Sequence, residues 1–292
     1  MIEQDWLAER FEEQRPRLRA VAYRMLGSLS EADDAVQDAW LRLSRTDTSD
    51  VENLGAWLTT VVARVSLNML RSRKTRREQP LDVHLPDPVI DRADGTDPEH
   101  EALLADTVGL ALLVVLETLA PAERLAFVLH DMFAVPFDDI APIVDRSPAA
   151  ARQMASRARR RVRGASVPPD VDLATQWELV DAFLAAARNG DFHALVAVLD
   201  PHVVLRADGG DTGLSREVHG AETVAGQAMM WSGVGLSLRR ALVNGAAGIV
   251  STRNGQPFSL AAITVRDGKI VEIDILADPE RLRRLDLSVL DG

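Results

Sequence analysis

The chain contains no cysteine, which excludes disulfides and thiolate metal sites. Its six histidines are scattered, without the close pairing that metal ligation favours, so no metal site is expected; no organic cofactor is expected either. No long hydrophobic run is present: the longest, 108–116, falls far short of the roughly 20 residues a membrane-spanning helix needs. Charge begins at Glu3, so no signal peptide is expected, and a cytoplasmic protein is the default. Positive charge is also in deficit overall, with 33 Lys and Arg against 44 Asp and Glu and a net charge of −11. That sum alone argues against a nucleic-acid partner.

The distribution reverses the argument, because phosphate attraction acts over only about 10 Å. Residues 64–77 hold Arg64, Arg71, Arg73, Lys74, Arg76 and Arg77 without an acid. Residues 148–163 hold six arginines, again without an acid. Between these blocks, 79–106 carries eight acids against one arginine. Apolar spacing is helical up to about residue 78 and again from about 99 to 163. The stretch 79–98 contains Pro80, Pro86, Pro88 and Pro98 among polar residues and reads as a spacer unable to fold alone. Beyond Pro168-Pro169 the pattern changes. A helix over about 173–188 ends at Asn189-Gly190, and strand-like runs follow, broken by Asn244-Gly245, Asn254-Gly255 and Asp267-Gly268. The expected fold is multidomain: all-α domains at 5–78 and 106–164, an acidic flexible linker at 79–105, and an α+β domain at 172–285.

The strongest local signal lies between Pro136 and Gly164. Phe137, Ile140, Ala141 and Val144 form an apolar stripe; Asp145-Arg146 makes a turn; Ser147 and Pro148 suit the cap and first position of a second helix. In that helix Ala151, Ala155, Ala158 and Val162 share one face, opposite Ala149, Arg152, Gln153, Ser156 and Arg160. This is the geometry of a helix-turn-helix, which places its second helix in the major groove; the alternative on spacing alone is a solvated basic helix in an ordinary helical hairpin. Arg152 and Gln153 suit base edges, whereas Arg157, Arg159, Arg161 and Arg163 suit phosphates. Earlier, Ser30-Glu31-Ala32-Asp33 reads as a capping box opening a helix with Asp33, Asp34, Gln37 and Asp38 on its acidic side. The helix from Leu54 carries Thr60, Arg64, Asn68 and Arg71 towards a basic end, which suits a DNA backbone or opened bases.

Arg19-Ala-Val-Ala-Tyr-Arg-Met-Leu-Gly, Glu31-Ala-Asp-Asp-Ala-Val-Gln-Asp-Ala-Trp-Leu-Arg-Leu, Ala56-Trp-Leu-Thr-Thr-Val-Val-Ala-Arg, Leu119-Ala-Pro-Ala-Glu-Arg and Ser156-Arg-Ala-Arg-Arg, in this order, resemble the extracytoplasmic-function (ECF) sigma factors. The resemblance implies a dissociable subunit of core RNA polymerase that recognises −35 and −10 promoter elements. It further implies that Asp33, Asp34, Gln37 and Asp38 dock on the clamp coiled coil of the largest polymerase subunit. Asp50, Asn53, Thr60, Arg64, Asn68, Arg71, Arg73 and Lys74 would read and melt the −10 element, and Ala149, Ala150, Arg152, Gln153, Ser156, Arg157 and Arg160 the −35 element. The acidic linker 79–106 would thread through the polymerase near the RNA exit path.

The third domain resembles the SnoaL-like cone fold that a subgroup of these sigma factors carries. Its motifs map onto Leu85-Pro86-Asp87-Pro88, Asp208-Gly209-Gly210 and Asp278-Pro279-Glu280-Arg281-Leu282, with His84 replacing an aromatic and Asp211 standing where glycine is expected. Leu85, Pro86, Pro88, Asp208, Asp278, Pro279 and Leu282 are thus expected to make regulatory contacts, packing this domain on the helical ones. Two other readings are a small-ligand pocket and a residual hydrolase or isomerase, for which Asp208 with His219 would be the proton-transfer pair. Trp177, Phe183, His193, Trp231 and Phe258 are further candidate pocket residues. The free protein is expected to be a monomer without catalytic activity.

Overall fold

The structure, a computed structural model, describes residues 2–46, 53–75, 83–93, 109–165, 172–212, 215–231, 234–285 and 287. It divides into two compact units: the helices of residues 2–75 and 113–165 make the first, and residues 83–93, 109–112 and 172–287 belong to the second.

The first unit begins with α1 (Ile2–Leu26), α2 (Leu29–Leu43) and α3 (Leu54–Thr75), which pack pairwise. Leu18, Val21 and Met25 of α1 meet the predicted inward face of α2, Ala32, Val36, Ala39 and Leu43, and Leu58, Val62 and Val65 of α3; all are buried. The start of α2 differs from the expected capping box. Ser28, not Ser30, occupies the N-cap position, without a side-chain capping bond. The acids of the motif turn elsewhere: Glu31 pairs with Arg73 of α3, and Asp33 accepts from Arg19 of α1 at 2.7 Å.

The later helices are α4 (Leu110–Glu117), α5 (Pro121–Phe127), α6 (Phe137–Val144) and α7 (Pro148–Ala165); a π-helical turn, Val128–Met132, prolongs α5. The helix-turn-helix forms where the sequence places it. Asp145 adopts a left-handed φ of 57° and ends α6, and Ser147 Oγ accepts from the Ala150 amide at 3.3 Å to open α7. Ala151, Ala155 and Ala158 are fully buried, and their small side chains let α7 lie close on α5 and α6. This domain also packs against the first helices: α3 touches α5 and α6. Arg124 Nε of α5, itself buried, donates to the Arg24 carbonyl at 3.1 Å, and Arg17 Nη2 reaches the Phe133 carbonyl at 3.2 Å. Burial lowers the Arg124 pKa to about 10, against the favourable pull of Glu117.

The second unit is α+β. Its seven-stranded sheet has the order β1-β4-β5-β6-β7-β2-β3, with β1 (Ile90–Asp91), β2 (Leu199–Asp208), β3 (Arg216–His219), β4 (Ser237–Val243), β5 (Ala246–Arg253), β6 (Gln256–Arg266) and β7 (Lys269–Leu276). Among the described residues only the β2–β7 pairing is parallel. The three Asn-Gly and Asp-Gly pairs each take positive φ at both residues and form the tight hairpins joining β4 to β7. Helices α8 (Leu173–Asn189), α9 (Phe192–Val198) and α10 (Ala221–Trp231) contribute Val180, Leu195 and Val224 to one core with Val203, Leu205, Ile249, Ile263, Val265 and Ile273 of the strands. A short helix, α11 (Pro279–Leu282), follows the last strand.

The acidic segment departs from the expected free spacer. Leu85, Pro86, Pro88, Val89 and Ile90 are buried, and β1 adds an edge strand to β4 through Ile90↔Val243 and Asp91↔Leu242. Asn244 closes the join: its amide donates to the Val89 carbonyl at 2.8 Å, and its Oδ1 accepts from the Val89 amide at 3.1 Å. The segment could not have folded alone, as its composition says; a sheet distant in sequence supplies the missing partner. The remainder of the stretch, 79–82 and 94–105, lies outside the described residues.

Candidate functional site

On α3, Arg64, Asn68 and Arg71 are exposed at helical spacings of four and three and present a common polar stripe, with half-buried Thr60 one turn before. Asn53 is exposed at the head of the helix, where its Oδ1 accepts from the Ala56 amide at 3.0 Å. Arg73 differs from the rest. It is half-buried, paired with Glu31, and donates through Nη1 to the Leu26 carbonyl at 3.2 Å, so it ties α3 to α1 and α2. Asp50 and the Lys74 side chain lie outside the described residues. Asp34 and Gln37 of α2 are exposed, while Asp33 is engaged by Arg19 and Asp38 by Arg42. A groove of about 440 Å³ lies between α2 and α3, lined among others by Glu31, Asp38, Asn68 and Arg73. It joins residues that the sequence assigned to two separate tasks.

On α7, Arg152, Gln153, Ser156 and Arg160 are exposed opposite the alanine face, and Ala149 stands exposed beside half-buried Ala150 at its start. Arg157 turns back towards α5, donating to Glu123 at 2.7 Å, and Arg161 reaches the same carboxylate at 3.2 Å. Arg159 pairs with Asp131 of the π turn. Three of the six arginines of the basic helix are thus engaged by two carboxylates, and exposed Arg152 and Arg160 lie on its other side. Composition could not show this, because Glu123 and Asp131 stand outside the acid-free block.

In the α+β domain the three altered motifs converge. Asp208, at the end of β2, is buried. Its Oδ2 accepts from the Leu85 amide at 2.9 Å and from Arg281 Nη1 at 2.6 Å, and its Oδ1 accepts from the Gly210 amide at 3.1 Å. Arg281 Nη2 also donates to the Leu85 carbonyl at 2.6 Å and to Asp87 at 2.8 Å. Burial alone would raise the Asp208 pKa; the hydrogen bonds from His84, Leu85 and Gly210, with the Arg281 charge, hold it below the usual carboxylate range. Asp278 caps α11 by accepting from the Glu280 amide at 2.8 Å, and Leu282 is buried. Gly210 has a φ of 55°, and a Cβ there would collide with the Asp278 carboxylate. Asp211 has no positive φ and is exposed, so glycine is not required where the motif has one. These hydrogen bonds run within the second unit, between the segment 85–87 and the α+β domain itself. Arg281 is the residue the sequence reading overlooked, although it stands inside a motif already singled out.

The proposed proton-transfer pair does not form. Asp208 is committed to Leu85 and Arg281, while exposed His219 bonds to Glu217 at 2.9 Å. A separate cluster joins Arg206 of β2 to Glu217, Glu272 and Asp274 at 3.1, 3.4 and 3.1 Å. Burial pushes the Asp274 carboxyl up to about 6 despite the adjacent Arg206, and raises Glu272 as well.

Comparison with known proteins decides the family. Sigma-70 region 2 matches residues 10–76, and Sigma-70, region 4 matches residues 109–162. The ECF RNA polymerase sigma factor SigJ of Mycobacterium tuberculosis is 40% identical over 288 residues, covering 93% of this chain and 91% of that protein. The chain belongs to the ECF RNA polymerase sigma factors. Probable ECF RNA polymerase sigma factor SigI of the same organism is 33% identical over 293 residues, spanning 100% of both chains. The crystal structure of M. tuberculosis SigJ matches this sigma factor with a TM-score of 0.78 at 36% identity, over 96% of this chain and 99% of that one. Both full-length matches run through the α+β domain, so the extra domain is shared with these relatives. The sigma factor's function is promoter recognition and transcription initiation with RNA polymerase.

Proposed function

We propose that this sigma factor is regulated in cis by its α+β domain, which retains the segment connecting region 2 to region 4. The observation that carries the reading is the grip of Asp208 and Arg281 on Leu85 and Asp87, continued by β1 in the sheet. In ECF sigma factors the segment between the two regions is expected to thread through the polymerase. One stretch of backbone cannot do this while paired to β4, so assembly with core enzyme must draw on whatever fraction of the chain has released it. The two sites share a chain, so effective concentrations are roughly millimolar and a modest grip suffices.

Within this reading the exposed face of α2, centred on Asp34 and Gln37, docks on the polymerase clamp coiled coil. Arg64, Asn68 and Arg71 read the −10 element, and Arg152, Gln153, Ser156 and Arg160 read the −35 element. The α+β domain is regulatory rather than catalytic, which the diversion of Asp208 to Arg281 supports. Among the described residues no helix is long and apolar enough to cross a membrane, in keeping with action in the cytoplasm.

Run-off transcription with core enzyme tests the proposal. Arg281→Ala should shift promoter output relative to wild type at equal sigma concentration. Protease or hydrogen-exchange mapping should show 83–92 exposed in the variant while β4–β7 stay protected. Release of the segment with no change in output would overturn the regulatory reading. Absence of any sigma-dependent transcript from the wild type would overturn the assignment of DNA-reading surfaces.

A further inference from the structure

At the head of the helix-turn-helix, Phe137 leaves the stripe that its sequence spacing assigns it to. Ile140, Ala141 and Val144 of the same helix are buried, but Phe137 is half-buried at the surface from which Arg152 emerges. The Arg152 guanidinium lies 5.2 Å from the centre of the Phe137 ring, over its face. His130 stacks on the same ring at 3.8 Å and 29°. The imidazole is fixed in turn by a 3.1 Å hydrogen bond between Nδ1 and the Val135 carbonyl, across the turn that the π-helical residues open. A three-membered stack, His130–Phe137–Arg152, therefore joins the body of the domain to an exposed arginine near the start of α7.

We propose that Phe137 is a positioning residue for promoter readout: its ring holds Arg152 in the orientation that discriminates guanine at one position of the −35 element. The proposal rests on the reading of α7 as the −35 helix. A free arginine must lose its rotamer freedom when it pairs with a base; one already held over a ring has lost part of it. The guanidinium is planar with its N–H donors in plane, so a ring against its face leaves the edge that pairs with guanine O6 and N7 unobstructed. A salt bridge would occupy those same donors, as Glu123 occupies those of Arg157 and Arg161. Arg152 is thus held over the Phe137 ring by a contact that rests on the guanidinium charge and not on pairing with an acid.

The test uses the full-length chain with core polymerase and a library of promoter duplexes randomised across the −35 element, with bound sequences counted before and after selection. The wild type should show a guanine preference that Arg152→Ala erases at one position. Phe137→Leu and Phe137→Met retain apolar bulk without a ring face and should weaken that one preference by about two- to fivefold. Phe137→Tyr, which keeps the face, should restore it. An unchanged preference in the Leu and Met variants would overturn the positioning role, as would an equal loss at every −35 position or a failure of Tyr to rescue. If Arg152→Ala alters no base preference, the assignment of α7 fails instead, a result distinct from the first.

Discussion

Arg281 binds Asp208 and the Leu85 carbonyl with separate guanidinium nitrogens, so one side chain secures both ends of a contact that spans 123 positions in sequence. The Arg281 and Asp208 side chains are 14% and 3% exposed, a degree of burial at which removing one partner strands the other's charge. Arg281→Ala should destabilise the α+β domain by about 3 kcal/mol, read as a lower midpoint in urea. Arg281→Lys should recover little of this, because an ammonium cannot span Asp208, Asp87 and the Leu85 carbonyl together.

Neighbouring positions in the Asp208 loop should respond in opposite ways. Gly210→Ala forces a side chain into the left-handed region and against Asp278, and should lower the thermal midpoint by several degrees, at a cost of about 1–3 kcal/mol. Asp211→Gly relieves nothing and should shift the midpoint by less than about 2 °C. Differential scanning calorimetry separates the two.

The buried carboxyl of Asp274 makes stability depend on pH. Its folded-state pKa of about 6 lies above the ordinary 3.8, so between these values the folded chain holds a proton that the unfolded chain has lost. Stability from this group is therefore fully present below about pH 4 and declines as pH rises through 6, by about 3 kcal/mol. Asp274→Asn should flatten the melting profile across this window. The wild-type and variant curves should run parallel above pH 7.

Glu123 restrains Arg157 and Arg161. Glu123→Gln should release both towards phosphates, tightening sequence-independent binding to duplex DNA. The slope of log K against log salt should steepen by about one to two. Fluorescence anisotropy of a labelled duplex between 50 and 200 mM salt, on the order used to resolve such slopes, measures this directly.

Much of this organisation was legible in the sequence where local chemistry decides structure. The helix-turn-helix follows from Ser147, Pro148 and the alanine spacing, and the hairpins from Asn-Gly and Asp-Gly pairs, because each is set within a few residues. The fate of 83–92 was not legible. Its prolines and acids describe a segment that cannot fold by itself, and nothing local records that β4, Asn244 and Arg281 wait for it some 150 to 200 residues later. The pairing of Arg157 and Arg161 with Glu123 was hidden likewise, since charge runs report sequence neighbours and not the helix across the groove. Phe137 was misplaced by its spacing, which fits an apolar stripe equally well whether or not the first turn of the helix is covered.

The seam between Arg24 and Arg124 carries a geometric consequence. Promoter elements named for positions about 25 base pairs apart lie roughly 85 Å apart on straight duplex, at 3.4 Å per pair. Helix α1, at 25 residues, is about 37 Å long and a compact helical domain of this size about 30 Å across, so the two in direct contact reach about 70 Å at most. If α3 and α7 carry the −10 and −35 contacts as proposed, the chain with the Arg124 guanidinium sealed against the Arg24 carbonyl is too short to touch both elements of a straight duplex. Parting that seam gives it the length of a ruler.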